Sequence, residues 1–173
     1  VDTVQLEELP GDSIGEVLFG LEINDGRFLV VERYRPRIHL YSSEGSLVAS
    51  AGMSGAGPGE FKGITAAAVG PVGHVYVADI ELSRISVLDS ADLSFLGVVE
   101  SPAPPMGPIA FIGDRMLVAS LASRTGGRFH MIRGHSIEWS ASPMPEVVHQ
   151  EPYWINFVDH LVAKVGTDRK SVV

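Results

Sequence analysis

The chain has 173 residues, with 13 Lys and Arg against 21 Asp and Glu, 19 Gly, 11 Pro and no Cys. Its 45% hydrophobic and 20% charged residues are the makeup of a folded globular chain and set aside wholesale disorder. The net charge of −8 argues against a grip on nucleic acid or an anionic membrane, and the lack of Cys removes disulfides, thiolate metal sites and a cysteine nucleophile.

In chain order, Val1 to Leu9 is expected as the outer strand of a closing unit. The next predicted strands are Val17 to Ile23, Arg27 to Glu32, Arg37 to Ser42 and Gly45 to Ala49, with a tight turn at Asn24-Asp25-Gly26. A second set follows at Ile64 to Val69, His74 to Asp79, Arg84 to Asp89 and Leu93 to Gly97, turning at Gly70-Pro-Val-Gly73. A weaker third set is Ile109 to Ile112, Arg115 to Ser120, Arg128 to Arg133 and Ser136 to Trp139. A fourth begins at Tyr153 to Phe157, turns at Asp159-His160 and continues at Leu161 to Val165. No stretch sustains helical periodicity, and no apolar run is long enough to cross a bilayer as a helix.

The repeat arithmetic chooses among all-β architectures. The second strands of the three units start at Arg27, His74 and Arg115, which are 47 and 41 residues apart. A period in the forties that holds four strands is the size of a propeller blade. The expected fold is therefore an all-β propeller of four-stranded antiparallel blades, at residues 13–51, 52–99 and 107–142, with an incomplete blade at 153–167. A ring takes about four to eight blades, so the ring is expected to be incomplete. Residues 168–173, Asp-Arg-Lys-Ser-Val-Val, read as translated adapter sequence and are expected to be a non-native tail.

The stretch Gly55-Ala-Gly-Pro-Gly-Glu-Phe61, the strand His74-Val-Tyr-Val-Ala-Asp79 and the strand Ser83-Arg-Ile-Ser-Val-Leu-Asp89 resemble an NHL repeat. More broadly, they are similar to the bacterial six-bladed propellers of the TolB-like superfamily. The resemblance is specific over Gly52 to Val99, fair over Gly15 to Ala51 and weak over Gly107 to Trp139, where Ser120 stands in place of Asp and the loop Leu121 to Gly127 is longer. It implies six blades and points to the periplasm or the cell exterior.

Asp79 and Arg84 are five apart, as are Glu32 and Arg37, a spacing that predicts an ion pair across each hairpin between second and third strands. The glycines from Gly52 to Gly63 lack the Gly-Lys-Ser/Thr of a phosphate loop and serve a chain reversal instead. Six His are present and none forms the i, i+4 pair of a metalloprotease; His130 and His135 flank a predicted turn and read better as surface or half-buried residues than as metal ligands. Arg33, Arg35 and Arg37 with Tyr34 and Tyr41 could grip and stack RNA, as some NHL propellers do, but the net charge and the assignment of Arg37 to Glu32 argue against it. Related propellers include lactonases and lyases with a metal at the channel mouth; the first strands here offer only Glu22 and Asn156 as oxygen donors. A Ser/His/Asp triad is not readable without geometry.

These readings favour a non-catalytic binding scaffold that presents rim loops to a protein, peptide or small ligand, with no metal or cofactor. The residues chosen for that role are Arg33, Tyr34, Arg35, Glu60, Phe61, Lys62 and Arg124, because connections between second and third strands share a rim with connections between blades. Plain loop residues without a ligand are an equally good reading of all seven. The alternative is a metal-dependent hydrolase or lyase with its ligands mainly in the blades beyond this chain.

Overall fold

Turn chemistry and apolar runs divide the chain into short antiparallel strands. The computed structural model describes residues 4–7, 11, 13–23, 25–121 and 128–141. The predicted fourth unit, the tail at 168–173 and the bulk of the Val1 to Leu9 segment lie outside the described residues.

The first sheet is β1 (Val17–Glu22), β2 (Phe28–Glu32), β3 (Ile38–Tyr41) and β4 (Leu47–Ala51). The second is β5 (Ile64–Val69), β6 (Val75–Asp79), β7 (Arg84–Leu88) and β8 (Phe95–Glu100). The third is β9 (Pro105–Ile112), β10 (Arg115–Ser120), β11 (Arg128–Arg133) and β12 (Ser136–Ala141). Each sheet is a four-stranded meander in which sequence neighbours pair antiparallel, as expected of propeller blades. The hairpin joining β1 to β2 turns on Gly26 at φ 81°, and that joining β5 to β6 on Gly73 at φ 85°, a left-handed conformation that costs glycine little.

One regularity is invisible in the sequence. The register between third and fourth strands slips at the same place in each of the three described blades, at Leu40/Tyr41, Val87/Leu88 and Met131/Ile132. An extra residue at that point bends the outer strand and strengthens its twist.

The blades stack face to face. Leu29, Val31, Ile38 and Leu40 of blade 1 meet Phe61, Val75, Val77 and Leu88 of blade 2 in one apolar cluster. Ala66, Ala78, Ile85 and Val99 on the opposite face of blade 2 meet Ile109, Met116, Val118 and Ile132 of blade 3 in a second. A strand covered on both faces has no solvent side to mark with polar residues, so β2 and β6 read as unbroken apolar runs. Residues 4–7 form no strand; Glu7 N–H donates to the Gly45 carbonyl at 2.7 Å and the Glu7 carboxylate accepts from Leu47 N–H at 2.9 Å.

Candidate functional site: the rim loops

The linking loop from β4 to β5, residues 52–63, is held by backbone and side-chain bonds along its length. Gly52 has φ +97° and backs onto the Pro36 carbonyl so closely that a Cβ would collide with it. Phe61 N–H donates to the Met53 carbonyl at 2.9 Å and Gly55 N–H to the Phe61 carbonyl at 3.1 Å, which closes the loop on itself. The Glu60 carboxylate folds over Gly55 and accepts from Gly57 N–H at 2.7 Å.

Two side chains of blade 2 hold this loop from outside it. The Arg84 guanidinium donates to the carbonyls of Ala56 and Gly57, each at 2.9 Å, and of Glu60 at 2.7 Å. The Asp79 carboxylate, wholly buried, accepts from the N–H groups of Lys62 at 2.7 Å, Gly63 at 3.2 Å and Leu82 at 3.0 Å. The expected Asp79–Arg84 ion pair does not form. The two residues are register partners, but backbone groups left unpaired by the chain reversal claim both side chains.

Blade 1 departs from its expected pair as well. The Glu32 carboxylate meets His39 Nε2 at 2.8 Å and Gly15 N–H at 3.2 Å, with Arg35 Nε at 3.8 Å. Its link to Arg37 runs through the backbone, Glu32 N–H donating to the Arg37 carbonyl at 3.0 Å. Glu32 and Asp79 thus do one job in successive blades: each accepts from backbone N–H leading into its own first strand, Glu32 from Gly15 and Asp79 from Lys62 and Gly63.

The chosen residues separate into two groups. Arg33, Tyr34 and Arg35 lie in the β2–β3 loop, where Tyr34 is 79% exposed. Arg33 Nε contacts Glu16 at 2.7 Å and both side chains remain about half exposed. Lys62 is exposed on the linking loop, which abuts the β2–β3 loop through Gly52 and Pro36. Glu60 is turned inward onto the Gly57 N–H, and Phe61 is 0% exposed in the core between blades 1 and 2. Phe61 is thus a packing residue at this place in the fold. Arg124 lies outside the described residues.

The histidines include features that sequence reading missed. His130 lies within β11, buried, with Ser120 Oγ at 2.8 Å from Nε2 and Ser140 Oγ at 2.7 Å from Nδ1. His39 holds the matching place in blade 1, with Ser50 Oγ at 2.8 Å from Nδ1. The signal was present as a His followed about ten residues later by a Ser, in strands expected to pair, but strand register was needed to see it. Among the described residues no three His, Asp or Glu side chains come together in a metal-holding group. Between blades 2 and 3 a groove of about 280 Å³ opens beside Tyr76, Gly97 and Phe111.

No family profile and no curated protein sequence matches the chain. Solved structures do. A protein of Bacteroides fragilis NCTC 9343 is 18% identical with a TM-score of 0.63, over 82% of this chain and 41% of that one. A catalytically inactive virginiamycin B lyase from Staphylococcus aureus, with quinupristin, is 16% identical with a TM-score of 0.58, over 79% of this chain and 44% of that one. The WD40 domain of Neurospora crassa Pan2 is 11% identical with a TM-score of 0.55, over 73% and 36%. The chain spans about two fifths of the length of these structures, and what it shares with them is the β-propeller type of fold, built from four-stranded antiparallel blades.

Proposed function

We propose that the chain is part of an NHL-type, six-bladed propeller that acts as a non-catalytic binding scaffold, taking up a protein, peptide or small ligand on its rim loops. The observation that carries this reading is Tyr34, an aromatic ring 79% exposed between Arg33 and Arg35, on a loop that a buried carboxylate helps to fix. A ring beside guanidinium groups suits a ligand carrying carboxylates, because Arg grips them through a planar fork while Tyr covers apolar area at small entropic cost. Lys62 on the abutting loop extends the cationic surface, although the chain as a whole carries −8. Glu60 and Phe61 serve this surface from beneath, by holding the linking loop in place.

An array of Asp- and Glu-rich peptides is the probe that tests the reading. Peptides that bind are expected to lose at least tenfold in affinity with Tyr34→Ala and with Arg33→Ala, and to weaken as salt rises. Peptides bound equally well by these variants, or an array with no binder, would overturn it.

A further inference from the structure

We propose that Ser50 is an activated nucleophile that takes the acyl group of a carboxylic ester, with His39 as its base and Glu32 as the carboxylate behind the base. This stands apart from the rim-loop reading, whose non-catalytic role concerns the rim surface alone, because Ser50 lies on the outer strand β4.

The three side chains form one hydrogen-bonded line. Ser50 Oγ is 2.8 Å from His39 Nδ1, and His39 Nε2 is 2.8 Å from Glu32 Oε1. His39 and Glu32 are each 1% exposed, whereas Ser50 is exposed. A carboxylate accepts only, so Nε2 donates to Glu32; in the neutral imidazole Nδ1 then keeps its lone pair, and the Ser50 hydroxyl donates to it. The carboxylate is held in turn by Gly15 N–H and has Arg35 at 3.8 Å. Tyr41 packs near the imidazole, ring centroids 6.5 Å apart, and Glu7 and Glu32 both act on its phenol.

As Ser50 Oγ bonds to the ester carbonyl carbon, its proton passes to His39 Nδ1, making an imidazolium that the adjoining Glu32 stabilises. The carbon–oxygen bond to the alcohol breaks, and Nδ1 returns the proton to the departing alkoxide. The products are an acylated Ser50, a free alcohol and a neutral imidazole.

The other blades show what sets this line apart. In blade 3, Ser120 stands where Glu32 does, so a hydroxyl meets His130 Nε2 at the place where a carboxylate meets His39, while Ser140 Oγ meets Nδ1. In blade 2 the matching residues are Asp79, Ser86 and Val98, with no imidazole, and the buried Ser86 Oγ has no hydrogen-bond partner among the described residues. Ser140 stays exposed with blade 2 packed beside its own blade, so exposure belongs to this outer-strand position. Val48 and Met53, 47% and 67% exposed, flank Ser50 in sequence and suit an apolar acyl group.

A fluorophosphonate probe applied to the whole chain, with peptide mapping by mass spectrometry, tests this. Ser50 is expected to be labelled, at least a hundredfold faster than Ser140. Ser50→Ala removes the label, Glu32→Gln slows it at least a hundredfold, and Ser140→Ala leaves it unchanged. No label on Ser50, or an unchanged rate in a folded Glu32→Gln variant, overturns the proposal. Should Glu32→Gln fail to fold, the unaltered chain decides: labelling of Ser50 at least a hundredfold faster than Ser140 supports the relay, and equal labelling of the two overturns it.

Discussion

Asp79 and Arg84 face each other across the β6–β7 hairpin, yet their charged ends serve the same loop from two directions. The carboxylate takes N–H groups where the loop ends, and the guanidinium takes carbonyls where it bends. Each charge is answered by backbone dipoles, which strengthens the bonds and leaves the reversed chain with fewer orphaned groups.

Removing Asp79 strands buried N–H donors. Asp79→Ala is expected to destabilise the fold by roughly 3 kcal/mol, and Asp79→Asn by less, because one acceptor oxygen remains. Arg84→Lys is expected to cost about 1–2 kcal/mol, since a single ammonium cannot reproduce a fork that spans three carbonyls. Urea denaturation of the three variants checks the order.

Two glycines give opposite expectations. Gly52 combines a positive φ with a neighbouring carbonyl where a Cβ would sit, so Gly52→Ala is expected to cost more than about 2 kcal/mol. Gly97 lies inside β8 with nothing within 4 Å of a Cβ, so Gly97→Ala is expected to stabilise by about 0.5–1 kcal/mol. Thermal melts that failed to separate the pair would contradict the packing described around the linking loop.

Tyr41 sets an alkaline limit. Its ring is 0% exposed, its hydroxyl has no hydrogen-bond partner among the described residues, and burial, then the charges of Glu32 and Glu7, push its phenol above the ordinary value. The folded state therefore holds the proton longer than the unfolded chain does. The associated stability is intact below the unfolded pKa of about 10 and is lost as pH rises through the higher folded value. Tyr41→Phe is expected to be neutral or up to about 1 kcal/mol more stable at pH 7, and to flatten the fall in stability above pH 10. An unchanged alkaline slope would place the titrating group elsewhere.

The architecture was legible because period, turn residues and apolar runs all encode local geometry. The second blade was clearest, its Gly-rich lead-in, its Val75–Asp79 strand and its Arg84 strand all falling in register. Side-chain partnerships were less legible. A spacing of five places Asp79 opposite Arg84, but it is blind to the loop carbonyls and N–H groups that compete for both. Phe61 drew attention as part of a conspicuous motif, although an aromatic residue beside Gly-Glu at a chain reversal is as readily the plug of the joint as a feature of its surface. The Ser50–His39–Glu32 line needs the register of three strands and the bulge between two of them, and neither is written in composition.

The stacking of blades has a temporal consequence. The face of blade 1 that carries Leu29, Val31, Ile38 and Leu40 is closed by Phe61, Val75, Val77 and Leu88, all from later in the chain. The loop bearing Phe61 is in turn gripped by Arg84. During synthesis from the N-terminus, blade 1 emerges before the residues that cover it. It has to wait, apolar face open, until the β6–β7 hairpin clears the ribosome.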